Sequence, residues 1–222
     1  MVITGDFTYD VPIQRPPKVL CLGRNYAEHA AELQNTVPEA PFFFSKLPSA
    51  LVPHEGNIRI PMGIGRVDHE VELAVVIGKT AKRISEDDAM EVVVGYSIAN
   101  DVSARALQRE AMIKGLAWTF CKGLDTFLPM GPYLVPADAI EDPHELDIQL
   151  TVNGQIRQKA NTNQMINQIP RIISYISKYI TLYPGDIICT GTPAGVGALE
   201  PGDVVECSIE GLGVLRNHVV ID

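Results

Sequence analysis

His69-Glu70-Val71-Glu72-Leu73-Ala74-Val75-Val76-Ile77-Gly78 is the stretch from which the rest of the chain can be read. Its β-branched residues and its alternation predict a strand. Side chains on a strand face the same way every second residue, so Glu70 and Glu72 aim together, with Cα atoms about 6.5–7 Å apart. Two carboxylates that close repel each other unless a proton or a cation lies between them. Asp68, Glu70 and Glu72 alternate with apolar neighbours as they would on a strand with one wet face. The in-phase positions then become Ala74 and Val76, so the acidic face runs into an apolar one. Carboxylates at the rim of a core are costly unless paired or set on a metal. Asp101, which ends another apolar run, supplies a third carboxylate. His69 falls on the opposite face and is not expected to be a ligand.

Oxygen donors with no accompanying Cys or His cluster suit a hard cation such as Mg²⁺ or Mn²⁺ better than zinc. Three protein ligands would leave positions open for water and substrate. The formal net charge of −9 argues against nucleic-acid binding, which needs a basic footprint. The four cysteines form no CxxC pair and read as buried thiols of a reducing compartment. No basic and apolar leader is evident, and no apolar run is long enough to span a bilayer, so a cytoplasmic location is expected.

With 222 residues, the chain is expected to form one catalytic domain, residues 1–222, with residues 1–15 as an N-terminal strap. Strands are expected at 18–23, 42–46, 67–78, 92–100, 186–190 and 204–209. A hairpin with a type I′ turn at Asn153-Gly154 is expected after 146–152. Helices are expected after Asn25 as cap, after a Ser85/Asp88 capping box at 89–93, and over 104–114 with Ser103 as cap. Met165, Ile169, Ile172, Ile173 and Ile176 mark an amphipathic helix that either kinks or starts at Pro170. Many strands with few long helices predict a β-rich α+β fold.

Other residues could carry chemistry. Gly191-Thr192-Pro193-Ala194-Gly195-Val196-Gly197 follows a strand, and its N–H groups and Thr192 hydroxyl could receive an anion, or it could be a structural loop. His29 and Glu32 share a helix face, as a base and its partner or as a surface charge pair. Lys46 and Lys122 each close a mostly apolar run read as a buried strand, where a lysine can enter a site or reach solvent by its own length. Arg105 and Gln108 share a face just after Asp101, where they could grip a carboxylate or decorate the helix.

Together these segments resemble the fumarylacetoacetate hydrolase family, in its short acylpyruvase and oxaloacetate decarboxylase branch. The likeness rests on Gly23-Arg24-Asn25-Tyr26 with His29 and Glu32, Phe44-Ser45-Lys46, His69 to Leu73, Asn100 to Arg105 with Gln108, Lys122 to Phe127, and Gly191 to Gly197. The resemblance implies a mixed β-sheet roll and a homodimer. It implies Glu70, Glu72 and Asp101 as ligands of Mg²⁺ or Mn²⁺, and His29, Glu32 and Lys122 as catalytic groups on a lid and beside the metal. Arg24, Lys46, Arg105, Gln108 and Thr192 fall at substrate positions. The implied reaction is cleavage of a C–C bond in a 2-oxo acid, by acylpyruvate hydrolysis or oxaloacetate decarboxylation through a pyruvate enolate. Isomerisation of a related dicarboxylate is the alternative, and a non-catalytic cation- or carboxylate-binding domain comes third. Ala106 and Leu107 stand where the family often has Asp-Val, so the carboxylate that could brace Arg105 is expected to be missing.

Overall fold

The computed structural model describes residues 10–34 and 36–222. Most of the expected strap, residues 1–9, lies outside the described residues. In chain order the strands are β1 (Val19–Gly23), β2 (Phe42–Lys46), β3 (Leu51–Val52), β4 (Asn57–Ile60), β5 (Val67–His69), β6 (Val71–Ile77), β7 (Val93–Asn100), β8 (Ser103–Ala104) and β9 (Leu128–Pro136). They continue as β10 (Asp147–Val152), β11 (Gln155–Asn161), β12 (Ile187–Cys189), β13 (Gly197–Ala198), β14 (Val204–Ile209) and β15 (Gly213–Ile221). Four helices join them: α1 (Ala27–Glu32), α2 (Arg105–Lys114), α3 (Thr119–Lys122) and α4 (Ile169–Tyr179). None is long and apolar enough to cross a membrane. The fold is α+β and strand-rich, as expected.

A mixed seven-stranded sheet runs β2-β1-β12-β6-β7-β9-β3, with a five-stranded sheet β11-β10-β14-β15-β4 and a three-stranded sheet β13-β5-β8. Every strand of the seven-stranded sheet sends side chains into one small apolar cluster, among them Cys21, Phe44, Leu51, Ala74, Ala99, Met130 and Cys189. A sheet whose strands all meet in one cluster must curl around it, which makes a roll. On the other face Leu73, Val75 and Ile77 join Ile148, Leu150 and Val205 of the five-stranded sheet and Ile172, Ile173 and Ile176 of α4. Burying each such aliphatic side chain is worth about 1.5–3 kcal/mol, so this face supplies most of the apolar stabilisation.

The hairpin turn is as expected: Asn153 and Gly154 have φ of 52° and 75°, the positive pair that a type I′ turn requires. Helix α4 starts rather than kinks at Pro170, which lies in its first turn. Other expectations are corrected. The strand 67–78 is interrupted at Glu70, because β5 pairs within the three-stranded sheet and β6 within the seven-stranded one. Asn25 does not cap α1; its amide donates to the carbonyls of Asn167 and Thr190 at 3.0 and 2.8 Å. Ser103 does not cap α2; its hydroxyl donates to the Asp101 carbonyl at 2.9 Å. Ser85 and Asp88 do bond each other, but a single 3₁₀ turn follows rather than an α-helix. Lys122 ends a short helix, not a strand.

Candidate active site

The site forms at the mouth of the roll, where β6 enters and β7 leaves. Glu72 precedes Ala74 and Val76 on the inner face, so the apolar filling of the roll gives way to a carboxylate at its rim. Glu70 sits at the corner between β5 and β6. Its backbone N–H donates to the Asn100 side-chain carbonyl at 2.8 Å, and its carbonyl accepts the Asp101 N–H at 2.8 Å. That clamp sets Asp101, just past β7, beside the pair. One oxygen from each of Glu70, Glu72 and Asp101 lies within 4.8 Å of the others, and all three residues are buried.

Cations surround this trio unevenly. Lys122 Nζ bridges Glu70 and Asp101, at 2.7 Å to each. Lys46 Nζ donates to Asp101 Oδ1 at 2.6 Å and to the Val102 carbonyl at 3.0 Å. Arg105 Nη2 donates to Glu70 Oε1. Glu72 has no ion pair among the described residues; its Oε2 accepts the Gly191 N–H at 2.8 Å. The pKa shifts follow this division. Burial alone would raise Glu70, but Lys122 and Arg105 hold it well below the usual carboxylate range. Burial, and then the charge of Asp101, pushes Glu72 well above that range. Burial opposes the Lys122 ammonium, but Asp101 and Glu70 outweigh it and keep it charged. The donor set is all oxygen, and one carboxylate lacks a counter-charge. Both properties fit a hard divalent cation.

A cleft opens above the trio, with about 430 Å³ of empty space including the part open to solvent. Arg24, His29, Arg105, Gln108, Lys122 and Thr192 line it together with Glu70 and Glu72. Phe44 and Trp118, with ring centroids 5.4 Å apart, form an apolar wall. Arg24 is held at φ 58°, an uncommon conformation for a side-chain-bearing residue, and its Nε has no hydrogen-bond partner. Buried His29 has no hydrogen bond at Nδ1, which is 3.6 Å from Glu32 Oε2. Burial lowers its pKa, so the imidazole is neutral at neutral pH and can accept a proton. Glu32 stands at the flank, where both oxygens accept the Gly195 N–H at 3.2 Å. This contact ties α1 to the glycine-rich loop. Gly195 has φ 96°, and a Cβ there would lie 2.1 Å from the Arg157 carbonyl oxygen, so only glycine fits.

The structure corrects two expectations. Lys46 is not among the residues that line the cleft; it is buried, with its Nζ committed to Asp101 and Val102. Arg105 does have a brace, and Asp68 provides it. Asp68 is buried, and its Oδ2 accepts Arg105 Nε at 2.8 Å while its Oδ1 accepts Arg66 Nε at 2.6 Å. Arg105 Nη1 also donates to Gln108 at 2.8 Å, so three of its nitrogens serve protein partners. The in-phase alternation of Asp68 with Glu70 was the available signal for this role. Gln158 carried none. Gln158 reaches in from β11, accepts the Val71 N–H and faces His69 Nδ1 at 3.1 Å each, and donates to Thr192 Oγ1 at 2.8 Å. His69 thus belongs to this structural network and stands outside the acidic trio, as expected.

Residues 18–220 match the model of the fumarylacetoacetate (FAA) hydrolase C-terminal family. The chain is 48% identical over 223 residues to a mitochondrial oxaloacetate tautomerase of Bos taurus, covering 97% of this chain and 70% of that protein. It superposes on fumarylpyruvate hydrolase from Pseudomonas aeruginosa, solved with Mn²⁺ and pyruvate, with a TM-score of 0.89 at 37% identity, covering 98% of this chain and 93% of that one. The 5-carboxymethyl-2-hydroxymuconate delta-isomerase of Mycobacterium smegmatis gives 0.84 at 40% identity, covering 96% and 80%. An acidic trio at the mouth of a curled sheet, beneath a cleft holding a neutral histidine, is thus the setting of an enzyme site. The chain belongs to the fumarylacetoacetate hydrolase family.

Proposed function

We propose that the protein cleaves a C–C bond in a 2-oxo acid, hydrolysing acylpyruvates to pyruvate and a carboxylic acid and decarboxylating oxaloacetate. The observation that carries this reading is a buried, neutral His29 in the same cleft as three convergent carboxylates. A divalent cation, Mg²⁺ or Mn²⁺, held by Glu70, Glu72 and Asp101 would polarise the 2-oxo group and lower the cost of an enolate. Arg24, whose Nε is free, meets the substrate carboxylate. Arg105, with three nitrogens engaged, positions Glu70 and Gln108. Thr192 Oγ1 accepts from Gln158, which leaves its own hydrogen to donate into the cleft. His29 takes a proton from water as the oxygen attacks the distal carbonyl, and Glu32 steadies the imidazolium. The C–C electron pair leaves with the pyruvate fragment, which then takes that proton back from His29.

A second reading is keto–enol tautomerisation of oxaloacetate, supported by the identity to the bovine tautomerase. It uses the same proton relay at His29 and no attacking water. Exposed Ile113, Leu116 and Phe120, around the junction of α2 and α3, support the further proposal of a homodimer.

Acylpyruvates and oxaloacetate incubated with Mg²⁺ or Mn²⁺ test these readings. Changed product mass supports cleavage, and unchanged mass with altered enol absorbance supports tautomerisation. His29→Ala is expected to reduce acylpyruvate hydrolysis about 10²–10⁴-fold and to affect decarboxylation less. Equal loss of both, with cation binding intact, would contradict that division. Full activity after exhaustive chelation would end the metal-dependent reading.

A further inference from the structure

We propose that Gln158 is a positioning residue whose amide fixes the Thr192 hydroxyl, so that its hydrogen points into the cleft as a donor to the substrate carboxylate. This rests on the proposed 2-oxo acid chemistry and adds the group that orients the hydroxyl.

Gln158 stands out first by its burial. Its neighbours in β11, Ile156, Arg157 and Lys159, are exposed, whereas Gln158 is fully buried. An exposed isoleucine beside a buried amide inverts the usual order. A β-bulge produces the inversion: Leu150 of β10 pairs with Gln158 and Thr151 with Ile156, so Arg157 is the extra residue. Bulges re-aim side chains. Here the edge strand of the five-stranded sheet sends Gln158 to the corner between β5 and β6. Gly195 packs against the Arg157 carbonyl at the same bulge, so the glycine-rich loop rests on this feature too.

The direction of the amide is set by its backbone partners. Its oxygen accepts the Val71 N–H at 3.1 Å, and its nitrogen donates to the Pro193 carbonyl at 2.8 Å. A backbone N–H only donates and a carbonyl only accepts, so these two groups fix which end of the amide faces which partner. The second hydrogen on Nε2 goes to Thr192 Oγ1 at 2.8 Å. Oγ1 therefore accepts from Gln158 and keeps its one hydrogen for the cleft that Thr192 lines. His69 Nδ1 lies 3.1 Å from the amide oxygen and so must carry a hydrogen. All four hydrogen-bonding positions of the amide are then used. A hydroxyl held in this way needs no reorientation to meet a bound anion.

Two measurements test this. In the wild type, ¹⁵N spectra of the imidazole nitrogens read whether His69 Nδ1 bears a hydrogen. It is expected to; a bare Nδ1 would mean that the amide is turned round, with its oxygen facing Thr192, and would overturn the proposal. The second is a double-mutant cycle read by calorimetry with pyruvate and Mn²⁺. Gln158→Glu puts an acceptor in place of Nε2, so the Thr192 hydrogen is drawn away from the cleft. The pyruvate Kd is expected to rise about tenfold or more in the wild-type and Thr192→Ser backgrounds. It should change less than about twofold where Thr192→Val has already removed the hydroxyl. A role confined to supporting the fold would raise Kd equally in all three backgrounds. That result, or an unchanged Kd throughout, would overturn the positioning role while leaving the 2-oxo acid reading intact. Melting temperatures report folding, and if Gln158→Glu does not fold, the His69 measurement decides. Wild-type protein that neither binds pyruvate nor turns over acylpyruvates or oxaloacetate would overturn that reading and the positioning role with it.

Discussion

The five-stranded and seven-stranded sheets share the same alternating pattern and put it to different ends. In the five-stranded sheet, Ile148, Leu150 and Val152 of β10 face the core, while Asp147, Gln149 and Thr151 turn toward solvent. Glu206 on β14 follows the same rule, partly exposed and 4.0 Å from Arg216. In the seven-stranded sheet β6 has no such outlet, because all seven of its residues are buried. The glutamate in that strand, Glu72, is buried and opens only onto the cleft. An acid on an alternating strand is therefore ordinary surface in one sheet and part of a buried carboxylate trio in the other, and burial of both faces of β6 makes the difference.

Removing acids from each sheet sharpens this contrast. The largest effect is expected for Glu72→Ala, which takes one carboxylate from the trio; turnover should fall by about 10³-fold or more, and stabilisation by added Mn²⁺ should disappear from thermal melts. A variant that keeps both would dissociate the trio from cation binding. Next comes Asp68→Ala, which takes the shared carboxylate from Arg105 and Arg66 and should cost about 3–5 kcal/mol in chemical denaturation, with activity falling as Arg105, left with Glu70 and Gln108, loses its brace. Its counterpart, Glu206→Ala, should stay within about 0.5 kcal/mol of wild type. Similar losses from both would abolish the distinction between a buried and an exposed strand acid.

A gradual effect concerns pH. Glu70 is depressed in the folded state, so the stability it contributes is present above the unfolded carboxylate value, about 4.3, and is lost as pH falls below it. Glu72 is raised, so without cation its contribution declines as pH rises above the same value. In the cation-free protein the combined contribution of these two groups should then be largest near that value. A bound cation favours ionised Glu72, so the gain on adding Mn²⁺ should grow as pH rises, at up to about 1.4 kcal/mol per pH unit for one displaced proton. Melting curves at several pH values, with and without Mn²⁺, measure this, and a gain that shrinks with pH would reverse the assignment of Glu72.

Much of this was legible without coordinates. Alternation marked the strands, the Asn153-Gly154 pair marked its hairpin, and the spacing of Ile169, Ile172, Ile173 and Ile176 marked α4, because each depends on neighbours close in sequence. Helix caps were misplaced at Asn25 and Ser103 because their polar groups found partners in the loop before α4, at the end of β12 and at Asp101. Lys46 was assigned to substrate because a lysine closing an apolar run has two outcomes, and only the position of Asp101, 55 residues away, decides between them.

The order of residues by itself determined that Glu70 and Glu72 would lie close together and that apolar positions would follow in phase. Those were legible from a period of two, and the pair stays together although the strand is interrupted at Glu70. Only the tertiary structure decided that Asp101 closes the trio, that Asp68 braces Arg105, and that Glu72 alone lacks a cation. These depend on charges brought together from distant segments and on the curl of a sheet that buries them.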